Sequence, residues 1–250
     1  MTRPHTQALE AQSLLSAGLS QAETARQLGI PRSTIRTWID NGFTSKQPEQ
    51  HLPGECPHVT QAATNPLYAY LLGLYLGDGW IATHPRGVYR LRIVLDDKYP
   101  NILDECHRAM ADVLPNVVNR VANIGCTEVT SYSKHWPCLF PQHGPGPKHK
   151  RPIMLAPWQE QVAMVENPRL LLRGLIHSDG CRFTNVAVTP HGRYYYGRYQ
   201  FSNRSADIRG IFADACAEVG VDCRRANQWN LAVSRREDVA LLDKFIGPKT

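Results

Sequence analysis

Asp78 and Asp179 each close an apolar run broken by small residues, LLGLYLGDG in the first case and LRGLIHSDG in the second. One acidic residue at the end of an apolar helix is ordinary. Two at the ends of matching helices are not, because carboxylates brought side by side repel and raise each other's pKa unless a cation lies between them. The arrangement therefore implies a divalent metal between them.

The elements that must position these acids follow from the flanking residues. Both runs open on Asn-Pro, at Asn65-Pro66 and Asn167-Pro168, a helix cap followed by a first-turn proline. Glycine inside a helix costs roughly 1 kcal/mol relative to alanine, so Gly73 and Gly77 need a reason other than local stability. Residues four apart share one helix face, and small ones there let two helices approach backbone to backbone. The second run, roughly one hundred residues later, repeats the pattern. Aligned on Asp-Gly, Gly73 meets Gly174, Gly77 meets Ser178 and Asp78 meets Asp179. If the two helices pack about a pseudo-two-fold axis along Gly73, Gly77, Gly174 and Ser178, the two aspartates are neighbours at one end of the pair.

The two nine-residue runs resemble the motif of the LAGLIDADG homing-endonuclease family, and the resemblance covers roughly residues 65–250. It implies an α+β fold of two pseudo-symmetric αββαββα halves, about 65–165 and 166–250, with motif helices at the interface and saddle-shaped antiparallel sheets over DNA. It implies a site-specific double-stranded DNA endonuclease of homing type that hydrolyses phosphodiesters with Mg2+ (or Mn2+). Carried over by position, Asp78 and Asp179 are the catalytic metal ligands, with the carbonyls of Gly77 and Ser178 as helpers. The family often places a lysine or glutamine near the metals from a strand after the motif. Lys98 is expected in that role in the first half, whereas the second half offers only Asn203 or Arg204. His177 lies beside Asp179 in sequence, but helical spacing points it elsewhere. A non-catalytic transcriptional regulator on the same scaffold is the competing reading, and retention of both acids argues against it.

The chain between and after the motifs reads as alternating strand and helix. In VYRLRIVL, Tyr89, Leu91, Ile93 and Leu95 share one face and Arg90 and Arg92 the other, as in a sheet with one buried and one wet face. Helical spacing follows at Ile102, Leu103, Cys106 and Met110. The second half repeats the order with YYYGRYQFS, ADIRGIFADACAEVG, QWNLAVS and EDVALLDKFIG. Tyr196, Arg198, Gln200, Gln228, Asn230 and Ser234 fall on its outward positions, with side chains able to meet base edges or phosphates. Lysines and arginines of the loop PGPKHKRP suit phosphate.

Residues 1–42 are expected to form a separate three-helix unit. Leu9, Leu14 and Leu15 line a first helix. Ser20 and Glu23 form a capping box for a second, which stops at Gly29. Pro31 opens a third that carries Ile35, Trp38 and Ile39 inward and leaves Arg32, Ser33, Thr34, Arg36 and Thr37 outside. The stretch resembles the helix-turn-helix of the resolvase and invertase type, with Ala25 between helices, and such a third helix suits a major groove. Residues 43–64 read as a linker.

Composition agrees with this picture. A chain with 42% hydrophobic and 20% charged residues can bury a core, and its formal net charge of +6 mildly favours an anionic partner such as nucleic acid, which the family resemblance narrows to double-stranded DNA. No run of roughly 18 apolar residues is present, so no membrane partner is expected, and the reading is a cytoplasmic protein encoded by a bacterium or phage. No small-molecule cofactor is expected, and one chain carrying both halves should act as a monomer. Seven cysteines at irregular spacing do not suggest a disulfide framework. Cys56 and His58, in GECPHV, give at most a hint of half of a lost zinc knuckle that no CxxC pair completes, and bulk burial or chance surface position is the better reading of both.

Overall fold

The computed structural model describes residues 5–40, 42–43, 56–247 and 249. They fall into two compact units, one of residues 1–51 with 85–87 and one of the remainder.

In the first unit α1 (His5–Ser16), α2 (Gln21–Gln27) and α3 (Arg32–Asp40) surround a small core of Ala11, Ala25, Ile30 and Ile35. The Ser20–Glu23 capping box is closed, with Ser20 N–H donating to Glu23 Oε2 at 2.9 Å and Glu23 N–H to Ser20 Oγ at 3.3 Å. Two expected core residues are instead on the surface: Leu9 is 49% and Ile39 37% exposed. Helices this short cross closely, so the contact positions go to Ala8 and Ala11, whose small side chains fit where a leucine would not.

The larger unit contains two copies of one arrangement. α4 (Pro57–Ala63) and α5 (Pro66–Asp78) lead into β1 (Gly79–His84) and β2 (Val88–Asp96), then α6 (Pro100–Val113), β3 (Val118–Asn123), β4 (Cys126–Ser133) and the single turn α7 (Trp136–Leu139). A one-turn α8 (Pro157–Gln159) and a π-helical stretch, Glu160–Glu166, connect to the second copy. That copy consists of α9 (Pro168–Asp179), β5 (Gly180–Thr189), β6 (Gly192–Ser202), α10 (Ala206–Glu218), β7 (Arg224–Arg225), β8 (Asn230–Val233) and α11 (Arg236–Asp243). Each copy folds one four-stranded antiparallel sheet, ordered β1-β2-β4-β3 and β5-β6-β8-β7. Residues 57–63, read from sequence as linker, are the helix α4, which buries Val59 and Ala62; residues 44–55 of that linker lie outside the described residues.

The core forms where the two copies meet. α5 is buried from Tyr68 to Leu76 without interruption, as expected of a helix that is apolar all round. Its N-terminus is capped by Asn65, whose Oδ1 accepts from Leu67 N–H at 3.0 Å. α9 crosses it with backbones in contact: a Cβ on Gly73 would lie 2.6 Å from Leu171 O and 2.7 Å from Leu175 N. One on Gly174 would run into Tyr70 O, with Gly73 Cα at 3.0 Å. The expected pairing of Gly73 with Gly174 is therefore met, and Gly77 faces the Ser178 side chain. Arg173 of α9 adds a bidentate ion pair with Glu105 of α6, at 2.6 and 3.0 Å, across the two halves.

This packing predicts opposite effects for one kind of substitution. Gly174→Ala should lower the unfolding free energy by about 3 kcal/mol, because the added methyl group meets backbone that cannot move aside. Gly210→Ala in α10, where a Cβ meets nothing within 4 Å, should raise it by about 0.5–1 kcal/mol. Urea titration of the full chain checks both.

Candidate active site

The packed glycines fix where the acids end up. Each helix stops at its aspartate because the next residue, Gly79 or Gly180, turns into a strand with φ of −83° or −109°. A Cβ there would come within 2.5 Å of Tyr75 Cα and 2.7 Å of Ile176 Cα respectively. Asp78 and Asp179 thus stand at adjacent helix C-termini, where partial negative charge of the helix dipoles adds to their own.

That crowding registers in their acidity. Burial first, and the Asp179 charge second, push the Asp78 carboxyl up to about 6. The side chain keeps an open edge toward solvent, which screens part of the effect. Burial also raises Asp179, against the hydrogen bond that Asn203 Nδ2 donates to its Oδ2 at 2.6 Å. Two crowded carboxylates of raised pKa are a donor set short of positive charge, and oxygen donors of this kind fit a hard divalent cation.

Two lysines supply part of that charge. Lys148 lies in a short 3₁₀ turn, Lys148–Lys150, and its ammonium donates to the last carbonyls of α5: to Tyr75 O, to Leu76 O at 3.0 Å and to Gly77 O at 3.1 Å. Lys249 donates to Gly180 O and, at 3.5 Å, to Ser178 O at the end of α9. Each lysine therefore caps the motif helix of its own half while facing the acid of the other. Lys148 and Asp179 line one cleft of about 550 Å³ with Asn203, Arg204 and Trp229. Lys249 and Asp78 line another of about 200 Å³ with Asp96 and Tyr99. Burial brings Lys148 down to about 7, and burial lowers Lys249 as well, while the acids pull both upward. Lys148 is held by its loop: Gln142 donates to Met154 O at 2.7 Å, Gln159 bonds the Tyr68 hydroxyl, and Phe140 packs 4.3 Å from the Tyr75 ring.

The other expected site residues are distributed as follows. Lys98 is turned away: its side chain is 80% exposed and its Nζ stands 4.0 Å from Asp96. The reason is local, since Asp96 Oδ1 accepts the Lys98 N–H at 2.9 Å and the resulting turn directs the side chain outward. The carbonyls of Gly77 and Ser178 are already occupied as acceptors of the two lysines. His177 is buried, with Nδ1 3.0 Å from the Tyr70 hydroxyl and Nε2 3.1 Å from Ile246 O, and burial takes it down to about 4. Arg90 and Arg92 share the open face of the first sheet but both pair with the buried Glu128, Arg92 at 3.4 Å. On the second sheet Arg198 stacks 5.0 Å over Tyr196, Ser202 bonds Asn230, and Gln200 reaches Ser202 at 3.5 Å. Gln228 and Ser234 are exposed beyond the ends of β8. In the separate N-terminal unit Arg32, Ser33, Arg36 and Thr37 are exposed and Thr34 is half-buried.

Sequence reasoning missed Lys148 and Lys249 as site residues and passed over the exposed aromatic residues Tyr194, Tyr195 and Trp229. A signal for the lysines was present: they are separated by the same number of residues as Asp78 and Asp179.

The two halves, their sheets and the paired motif helices are the LAGLIDADG fold. Among solved structures, the homing endonuclease I-DmoI in complex with its target DNA in the presence of Mg is 13% identical, with a TM-score of 0.50 over 75% of this chain and 97% of that one. The meganuclease I-AabMI bound to uncleaved DNA is 12% identical over 72% of this chain and 82% of that one, TM-score 0.47. The N-terminal LAGLIDADG domain of DUF199/WhiA is 11% identical over 78% and 90%, TM-score 0.44. No protein-family model matches the sequence, and no curated protein matches it. No helix among the described residues is long and apolar enough to cross a membrane.

The raised Asp78 pKa has a stability consequence. In chelator, an aspartate ionised above about 6 in the folded chain and above about 4 in the unfolded one makes the folded state bind more protons between those values. Stability should therefore rise as pH falls through that window. Asp78→Asn should be more stable than wild type at pH 7, and the gap should close toward pH 4. Thermal melts of both chains across the window, without divalent ions, check this.

Proposed function

We propose that the chain is a site-specific, metal-dependent double-stranded DNA endonuclease, acting as a monomer whose two halves each address one strand. The observation that carries this reading is the convergence of Asp78 and Asp179 at the ends of two helices in backbone contact, each acid faced by a lysine from the opposite half. A divalent cation, Mg2+ or Mn2+, would be held by the two carboxylates and would supply Lewis-acid polarisation of a phosphate and a more acidic bound water.

The protein groups divide the remaining work. The Asp78 and Asp179 carboxylates would hold that ion at the paired helix ends. Asn203 keeps one Asp179 oxygen oriented. Lys148, brought down to about 7, can take or return a proton at Nζ or place positive charge beside the reacting phosphate, and Lys249 places positive charge in the other cleft. The open sheet faces would lie along the duplex, with Arg90, Arg92, Tyr196, Arg198, Gln200, Gln228, Asn230 and Ser234 as DNA contacts. The helix-turn-helix of residues 1–42 would add affinity through Arg32, Ser33, Thr34, Arg36 and Thr37, joined to the larger unit by the residues that precede α4. Such a tethered second module explains why a chain already carrying both halves has a basic third helix to spare.

The test is selection followed by cleavage. Duplexes recovered from a randomised pool in Ca2+ are treated with Mg2+ and the wild type, Asp78→Asn and Asp179→Asn chains. Expected are a double-strand cut by wild type, loss of cutting in both variants and retained binding in all three. Tight selection of one sequence with no Mg2+-dependent cut would replace the nuclease reading with that of a DNA-binding regulator on the same scaffold.

Two further outcomes follow from the same preparation. Lys148→Met and Lys249→Met should each slow cutting of one strand by about 100-fold, so that nicked duplex accumulates on a gel while binding persists. Binding should also weaken by about 1,000-fold or more between 50 and 200 mM salt, measured by fluorescence anisotropy.

A further inference from the structure

The half-knuckle seen in the sequence is completed from an unexpected direction. Cys56 and His58 sit at the start of α4, Cys56 as its cap residue. His135 and Cys138 sit at the start of α7, at the far end of the first sheet in chain order. The fold brings them together: one ligand atom each from Cys56, His135 and Cys138 lies within 4.8 Å of the others, and Cys56 Sγ is 3.4 Å from His135 Nδ1. His58 is beside them, its ring centroid 4.4 Å from that of His135.

The 3.4 Å between Cys56 Sγ and His135 Nδ1 is that of neighbouring ligands in a tetrahedral thiolate and imidazole site, with Cys138 within reach of both and the His58 ring adjacent. With Zn–S near 2.3 Å and Zn–N near 2.0–2.1 Å, adjacent sulfur and nitrogen ligands stand about 3.5 Å apart. The Cys56–His135 distance already matches. Cys56 is fully buried and the other two half-buried, which suits a closed structural site more than a catalytic one with an open position. The donors are soft and borderline, so they select zinc over magnesium. The spacing, Cys-x-His from one segment and His-x-x-Cys from another, is that of a site assembled across the fold.

We propose that Cys56, His58, His135 and Cys138 bind a structural zinc ion that clamps α4 to α7. Binding takes the two thiols as thiolates, their protons passing to solvent, and the two histidines as neutral imidazoles. The clamp fixes the segment through which the chain enters the larger unit. It also fixes the start of α7, whose buried Trp136 and following Phe140 lead into the loop that carries Lys148. The inference rests on this cluster alone and is independent of the nuclease reading.

The experiment uses the full chain purified under reducing conditions without added metal. Elemental analysis should find about one zinc per chain, and the same in Asp78→Asn, which removes a carboxylate and not a zinc ligand. Titration of the metal-stripped chain with Co2+ should give tetrahedral d–d bands and a thiolate-to-cobalt charge-transfer band. Cys138→His should keep the tetrahedral bands and lose about half of the charge-transfer intensity, since one thiolate remains. Cys56→Ser combined with Cys138→Ser should abolish both the charge transfer and the bound zinc. Wild-type chain with less than about one-tenth of a zinc and no thiolate band on Co2+ addition would overturn the proposal. So would a Cys56–Cys138 disulfide that persists in reductant, detected by mass spectrometry of the unreduced peptides.

Discussion

The contact on which the rest of the larger unit depends is that between the backbones of α5 and α9 at Gly73 and Gly174. Neither position has room for a methyl group, because the space a Cβ needs is taken by main chain of the other helix. Glycine in mid-helix is locally unfavourable, and here the cost is offset by dense packing of α5 against the apolar face of α9. The close approach has an electrostatic price: two helix C-termini and two carboxylates are brought to one place, where partial and full negative charges add.

The structure answers that concentration of charge with a crossed arrangement. Each lysine reaches the terminal carbonyls of one helix and faces the acid of the other, so each ammonium neutralises a dipole and a carboxylate at once. The ammonium groups also lie near aromatic faces, Lys148 4.8 Å from the Tyr75 ring and Lys249 5.8 Å from that of Tyr99. The symmetry is not complete. Asp179 receives a hydrogen bond from Asn203, whereas the Asp78 cleft contains a further carboxylate, Asp96. The Asp78 cleft is the more negative, so the two clefts are not chemically equivalent.

What could be read from the sequence was whatever is encoded by local periodicity or by repetition. The motif helices carry both signals, and so their ends, their glycine contact and the pairing of Asp78 with Asp179 were legible before any coordinates. The strand VYRLRIVL was legible because its alternation is strict, and Leu91, Ile93 and Leu95 are buried as that alternation requires. Lys148 was hidden by its surroundings, since PGPKHKRP has no period and the groups that hold its ammonium are the carbonyls of Tyr75, Leu76 and Gly77, far earlier in the chain. Lys98 misled because a lysine just after a strand looks well placed, while the turn made by the Asp96 side chain decides its direction. Leu9 and Ile39 misled because in very short helices the crossing distance, rather than hydropathy, selects which residue faces inward.

The same distinction between local and distant signals bears on metal selection. The paired aspartates offer hard oxygen ligands on an open surface, a setting in which magnesium can keep part of its water shell. The Cys56, His135 and Cys138 cluster offers sulfur and nitrogen away from that surface, a setting that rewards complete dehydration of a softer ion. Donor type and exposure therefore separate the two ions without any selectivity built into the chain as a whole. Oxygen donors at the ends of α5 and α9 and sulfur with nitrogen between α4 and α7 thus carry opposite cation preferences within one chain.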